Sequence, residues 1–310
     1  MLALLRKPRK QGYVAMVPQE DGCALVQLER DGNIDRLAYH AFIPGSGEAL
    51  ATQLAEALRQ QRLGAVTCTT LMDIDQYQLL LVDAPQVPPA ELRAAIRWRL
   101  RELIDFHVDD ALVDVFDAPA SSARGVQDHL YTVVARSNLV QERVNLLQEA
   151  GARLEVIDIP ELALRNIVDR LPENPAGVAM LYFGAHRGLI TLVRDSTLYL
   201  ARPLDIGYRD LEQASADPRP LWDTLALELQ RSMDYYDRHF QQAQIGHVLL
   251  APLPVPVPGM VEALHESLGL SVRAVSLDEV VEMTAPLEPE QAARCFLAVG
   301  AALRRETKRL

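Results

Sequence analysis

Three cysteines, few aromatic residues and no long apolar run set the first limits on this sequence. Cys23, Cys68 and Cys295 lie far apart and are odd in number, so a disulfide framework is not expected and a reducing cytosol suits the chain. Aromatic residues make up 5% of the 310, too few for a base-stacking surface. A net charge of −11 opposes general nucleic-acid binding, which depends on neutralising phosphates. No apolar stretch approaches the roughly 20 residues that span a bilayer. The first residues, MLALLRKPRK, place a short apolar run before Arg6, Lys7, Arg9 and Lys10. That is the reverse of a secretory signal, and a weak touch to an anionic membrane is the other reading of the cluster. Catalytic signatures are missing too. There is no GxSxG, HExxH or CxxC, and His40, His107, His129, His186, His239, His247 and His265 show no metal-ligand spacing.

What the sequence does contain is an ordinary balance, 49% hydrophobic and 24% charged, on a chain long enough for two units with their own cores. An internal repeat organises it. At an offset of 164 residues, Val14-Ala15-Met16 falls on Val178-Ala179-Met180, Leu25 on Leu189, Leu28 on Leu192 and Arg30-Asp31 on Arg194-Asp195. Both segments have the pattern strand, turn, strand, turn, strand, followed by a helix candidate. The first turns at Glu20-Asp21-Gly22 and Asp31-Gly32-Asn33, the second at Gly184 and Gly188.

After the first meander, Gly45-x-Gly47 opens the amphipathic helix GEALATQLAEALRQQRL. A turn and a helix start explain these glycines as well as a phosphate loop does. Two strands follow, AVTCTTLM and QYQLLLVDAP, then the helix AELRAAIRWRLRELI after Pro88-Pro89. ALVDVFDA and HLYTVVA read as a hairpin with the exposed tip PASSARGVQD, before SNLVQERVNLLQEAG and RLEVIDIP. Asp109-Asp110 reads as an exposed acidic pair at a junction, not an acid–base couple. A long helix, LWDTLALELQRSMDYYDRHF, and the closing helix QAARCFLAVGAALRRE dominate the rest.

Four stretches, AIRWRLRELIDF, VVARSNLVQERVNLLQEAGARLEVIDI, ELQRSMDYYDRHF and LAVGAALRR, resemble the PilM/MshI family of actin-like cytoplasmic proteins in type IV pilus machines. The cytoplasmic part of GspL from type II secretion is a competing resemblance. The family implies an α/β, actin-like (ribonuclease H-like) fold of duplicated β-meander domains with an inserted α/β subdomain. Residues 1–87, completed by 160–177 and the helix at 288–306, would form the first domain. Residues 88–159 would be the insertion, and 178–287 the second domain, its outer subdomain shortened near 207–244.

The resemblance also implies a phosphate-facing Asp-x-Gly at each meander turn, and neither is present. The first place holds Val17-Pro18-Gln19, or Pro18-Gln19-Glu20 one residue on; the second holds Tyr182-Phe183-Gly184. The family's adenine-side glycine pair falls on Ala251-Pro252, ahead of a proline-rich stretch with few N–H donors. Asp205-Ile206-Gly207 matches by letter, but a helix candidate follows it where a strand should return. Phosphoryl transfer rests on positioning and metal-assisted charge stabilisation, so these losses remove the chemistry together.

The expectation is therefore a scaffold without catalysis, cofactor or metal, whose vestigial loops lie at Pro18, Tyr182, Gly184 and Ala251. Its partners would be a PilN-like inner-membrane protein tail and other pilus assembly-platform proteins, with no nucleic acid. Membrane attachment would be indirect, through the partner, leaving the protein cytoplasmic and peripheral at the inner membrane. By resemblance, the tail would bind between the first domain and the insertion, at Leu79, Leu81, Arg93, Ile96, Arg97, Trp98 and Arg101. The alternatives are an ATP- and magnesium-binding ATPase like PilM, or the GspL role.

Overall fold

The computed structural model describes residues 12–88, 91–119, 129–214, 217–240 and 242–305. Strands β1 (Gly12–Gln19), β2 (Gly22–Asp31) and β3 (Ile34–Pro44) form the first antiparallel meander. Helix α1 (Gly47–Gln60) buries Leu50, Leu54 and Leu58 at a four-residue spacing, which lines one face. It returns the chain to β4 (Thr67–Leu71), parallel to β1. Next come β5 (Tyr77–Asp83), α2 (Leu92–Leu100), β6 (Ala111–Asp117), β7 (His129–Arg136), α3 (Ser137–Glu149) and β8 (Arg153–Asp158). Helix α4 (Pro160–Val168) then leads into the second meander, β9 (Val178–Phe183), β10 (Gly188–Arg194) and β11 (Thr197–Leu204). The chain continues through α5 (Tyr208–Gln213), α6 (Arg219–Phe240), β12 (His247–Leu250), α7 (Met260–Leu268), β13 (Ser271–Ala274) and α8 (Pro289–Ala302).

The duplication holds in three dimensions. One sheet has the order β3-β2-β1-β4-β8 and another β11-β10-β9-β12-β13, each a meander extended by two parallel strands. The two units share a core. Ala15, Val26 and Leu28 from one sheet and Val178, Met180 and Val193 from the other join through residues of α4 and α8. Phe296 on α8 is fully buried there. The two helices cross where α8 has glycine: a Cβ on Gly300 would lie 2.4 Å from the Ala163 carbonyl oxygen. No larger residue fits without moving backbone.

Four sequence assignments need correction. The insertion is the three-stranded sheet β5-β7-β6 with α2, so it begins with β5 rather than at Pro88. It also ends before α3, because β8 pairs with β4 inside the first sheet. Helix α4, assigned from sequence to the first domain, packs on β9, β10 and β11 as well as on α8. The helix α2 stops at Leu100, short of the run to Ile104. Most of the tip PASSARGVQD lies outside the described residues, as do the basic cluster at residues 6–10 and the last residue of the 288–306 helix. Among the described residues, no helix is long and apolar enough to cross a membrane.

Candidate functional site

The two units face each other across a cleft holding a cavity of about 440 Å³. Its walls are the β1–β2 turn, the segment after β4, the β9–β10 turn, the start of α5, Pro254 and one face of α8. Strand pairing settles the register that the sequence left open. Pro18 pairs with Cys23 and Tyr182 with Leu189, and each is the last residue but one of its strand. Tyr182 and Pro18 are therefore equivalent, and Glu20 stands where the second turn has Gly184.

The backbone of the second turn is already engaged. Gly184 donates its N–H to the Arg187 carbonyl at 2.8 Å, closing the hairpin on itself. Tyr208 and Arg209 donate to the carbonyls of Gly184 and Ala185 at 2.9 and 3.3 Å. A Cβ on Gly207 would come within 2.4 Å of the Ala185 oxygen, so glycine here permits α5 to start against the turn. Asp205-Ile206-Gly207 is thus a strand exit, and Asp205 pairs with Arg187 at 2.7 Å. Ala251 is buried with its N–H on the Leu181 carbonyl, 2.8 Å away.

Side chains carry opposite charge to the two turns. The Glu20 carboxylate accepts from Arg209 Nη2 at 2.9 Å and lies 3.3 Å from His186 Nε2, so it bridges the units across the cleft. Arg209 Nη1 in turn lies 3.0 Å from that imidazole. Asp21 receives both Nη groups of Arg294 at 2.9 Å each, and this bidentate bond holds its carboxyl below the ordinary carboxylate range. Arg294 is itself oriented by Glu290 at 3.1 Å and by the Phe42 ring, 3.9 Å from the guanidinium. Deeper in, Asp73 accepts from Arg143 at 2.9 Å. Burial outweighs that arginine and raises the Asp73 carboxyl above its usual value. Burial, with Asp73 adding to it, likewise holds the Tyr182 phenol well above its ordinary value and so neutral.

Hard cations take charged oxygens; here Glu20 and Asp21 are ion-paired, and the second turn has a phenol at the acid position. Among the described residues, no group of three or more His, Cys, Asp and Glu side chains is placed to hold a metal. Sequence reasoning read Glu20 and Asp21 only as part of a hairpin turn and missed Arg209, Arg294 and Asp73. Their partners lie up to 273 residues away in the chain, and no local signal marks them.

The expected partner-contact set does not form one surface. Ile96 is 0% exposed in the core between α2 and the small sheet, with Leu80, Val113, Val115 and Val134. Arg97 faces inward as well, donating to the carbonyls of Ala111 at 2.9 Å and Val108 at 2.6 Å. Trp98 is 69% exposed on the outer side of α2, and Arg101 is exposed just past its end. Arg93 reaches Asp114 at 3.5 Å. Because strand residues alternate, Leu79 and Leu81 point to the sheet face opposite α2, where Leu79 packs on the main core. Leu81 and Leu112 on that face are 42% and 49% exposed. The sheet therefore separates Leu79 and Leu81 from Trp98. Asp109 and Asp110 are exposed in a short helical turn ahead of β6.

A family model described as type IV pilus assembly protein PilM matches residues 77–218, from the first residue of β5 to just past α5. No curated protein matches the sequence. A solved PilM–PilN type IV pilus biogenesis complex is similar at 23% identity and a TM-score of 0.74, covering 96% of this chain and 98% of that one. The cytoplasmic domain of EpsL, an inner-membrane component of the type II secretion system of Vibrio cholerae, is similar at 11% identity and a TM-score of 0.51. There the match covers 92% of this chain and 93% of that one. With the repeated sheet order, these likenesses establish an actin-like fold.

Proposed function

We propose that the chain is a non-catalytic cytoplasmic scaffold in the inner-membrane assembly platform of a type IV pilus of the MSHA kind. It holds the cytoplasmic tail of a PilN-like membrane protein, and through it contacts the other platform proteins. The pilus assignment is supported by the family-model match over 77–218 and the likeness to the PilM–PilN complex along 96% of the chain. The absence of catalysis rests on one observation above all: Glu20, at the position of a phosphate-loop glycine, bridges the cleft to Arg209 and His186. The tail's contact on the insertion is the sheet face opposite α2, around the exposed Leu81 and Leu112.

Two measurements test this. A ligand that binds only the folded state raises stability by about 2.7 kcal/mol at a hundredfold excess over its Kd. Millimolar Mg-ATP is expected to leave the melting temperature unchanged, and Tyr182→Asp alone to release no phosphate from ATP. An upward melting shift that Gly184→Val abolishes would favour the ATPase reading. Capture of a PilN-like tail on the immobilised chain is expected to weaken at least about tenfold, or ~1.4 kcal/mol, with Leu81→Asp plus Leu112→Asp, and to survive Trp98→Ala. Preference for a type II secretion tail would favour the likeness to EpsL.

A further inference from the structure

An exposed tryptophan and an exposed run of prolines lie on different parts of the molecule, and neither belongs to the tail's sheet face. The tryptophan is on the outer side of α2. Trp98 is 69% exposed there, and Leu103, just past the helix end, is 54% exposed. One turn before Trp98 the helix has Ala94, too small to cover an indole. Arg101, also exposed, adds a cation with no ion-pair partner among the described residues. Its neighbours differ: Arg97 and Arg99 are turned onto backbone carbonyls, and Arg93 reaches Asp114.

The prolines are those of PLPVPVP, residues 252–258, which joins β12 to α7. Proline fixes its own φ and holds the residue before it in extended geometry. Four alternating prolines therefore set this backbone before anything binds. Leu253 and Val257 pack on the core of the second unit. Between them the chain bends at Pro254 and Val255; Pro254 borders the cleft, and Val255 is 50% exposed. The result is a stiff apolar knuckle. Its last proline leads to Gly259, where a Cβ would lie 3.0 Å from the Trp222 ring of α6. Asp223, next to that tryptophan, and Glu262, in the first turn of α7, are exposed and have no ion-pair partner among the described residues.

The two surfaces are complementary. Extended proline segments dock on aromatic side chains, and a segment already held in shape loses little entropy in doing so. An unpaired arginine flanks the indole, and unpaired carboxylates flank the knuckle. We propose that each surface takes a second copy of this chain: the Pro254-Val255-Pro256 knuckle of one copy docks on the Trp98 face of the next, with Arg101 facing Asp223 and Glu262. Because the two surfaces differ, the contact is heterologous and leaves one of each free, so copies add head to tail. The patch is small, and interfaces below about 1,200 Å² in total are weak and transient. Association is therefore expected only at high protein concentration or where copies are held side by side. The proposal does not rest on the pilus reading, because the chain alone tests it.

The test is sedimentation velocity of the full chain over a wide range of concentration. The weight-average sedimentation coefficient is expected to rise past the dimer value, and less steeply at high salt, which screens the arginine–carboxylate attraction. Trp98→Ala and Val255→Asp are each expected to weaken association at least about tenfold, and Arg101→Glu to weaken it less. Trp98 and Val255 are exposed, so both variants are expected to keep the parent's melting curve. The deciding measurement mixes them. The Trp98→Ala chain retains its knuckle and the Val255→Asp chain its indole, so the mixture is expected to form dimers and stop there. A parent that stays monomeric at every concentration, or levels off at a dimer, would overturn the proposal. So would association that survives either variant unchanged, or a mixture that stays monomeric where the parent associates.

Discussion

The two meanders share a strand order and differ at the turns that face each other. The first turn has two residues and is acidic, Glu20 and Asp21; the second has four and carries His186 and Arg187, with Arg209 beside it. The strands are constrained on both faces, by α4 and α8 between the sheets and by α1, α6 and α7 outside them. The turns meet only across the cleft. Duplication thus provides a common scaffold, and the facing turns have become complementary to each other.

Two arginines near the ends of the second meander strands sharpen the contrast. Arg30 and Arg194 each stand at the end of a second meander strand and reach backbone carbonyls beyond a long helix, α8 in one unit and α6 in the other. Arg194 is the more deeply committed: it donates to Ala176, Ala243 and Gln244 and to the Tyr236 hydroxyl, and is 5% exposed. Arg30 shares Asp35 with two other arginines. Arg194→Met is expected to cost about 4 kcal/mol in urea unfolding, because it strands several buried carbonyls. Arg30→Met is expected to cost about 1 kcal/mol. Equal losses would remove the asymmetry between the units.

What couples the units is the α4–α8 crossing, where Gly300 lies against the Ala163 carbonyl. Gly300→Ala places a methyl 2.4 Å from the Ala163 oxygen and is expected to lower stability by about 3 kcal/mol. A loss below about 1 kcal/mol would mean that the crossing yields easily and that the units are joined loosely.

Much of this was legible in the sequence, for physical reasons that differ from place to place. Period-two alternation and turn residues such as Gly32-Asn33 exposed both meanders, and the 164-residue offset exposed the duplication. The offset fails beyond the first turn, because Gln19 pairs with Gly22 but Phe183 with Gly188. The insertion's limits were misplaced because β5 and β8 look alike as strands, and only pairing with β7 and β4 assigns them. The partner-contact set was misjudged at Arg97, since the spacing of Arg93, Arg97 and Arg101 shows that they share a side of the helix but not which way it points. The cleft's ion pairs were invisible, as Glu20 and Arg209 are 189 residues apart.

Glu161 tests whether the insertion is fastened to the shared core. It is buried on α4 and accepts from the Tyr77 hydroxyl of β5 at 2.5 Å. Burial pushes its carboxyl up to about 7 against the opposing Tyr77 hydrogen bond, with Asp158 adding to the rise. Between the unfolded value near 4.5 and about 7, the folded state binds the extra proton, so stability falls as pH rises through that window and levels off above it. Glu161→Gln is expected to flatten that slope and to gain about 2 kcal/mol at pH 8, with little change at pH 4. A variant with the parent's pH profile would remove Glu161 as its source.

The smallest effect bears most directly on the comparison between the turns. The cross-cleft pair is solvent-exposed, and such pairs add little to stability; its expected effect is on how closely the two units approach. Glu20→Arg places a cation against Arg209, and the expected result is an opened cleft, seen as a larger radius of gyration with an unchanged melting curve. Combining it with Arg209→Glu restores opposite charges in reversed positions and is expected to bring the radius back. High salt should shrink the difference between the single variant and the parent, since exposed charges are screened within about 10 Å at 0.1 M salt. If Glu20→Arg leaves the radius unchanged at low salt, the packing of α4 on α8 alone fixes the angle between the units. If it opens the cleft but the double variant does not close it, Glu20 acts through shape at the turn and not through charge.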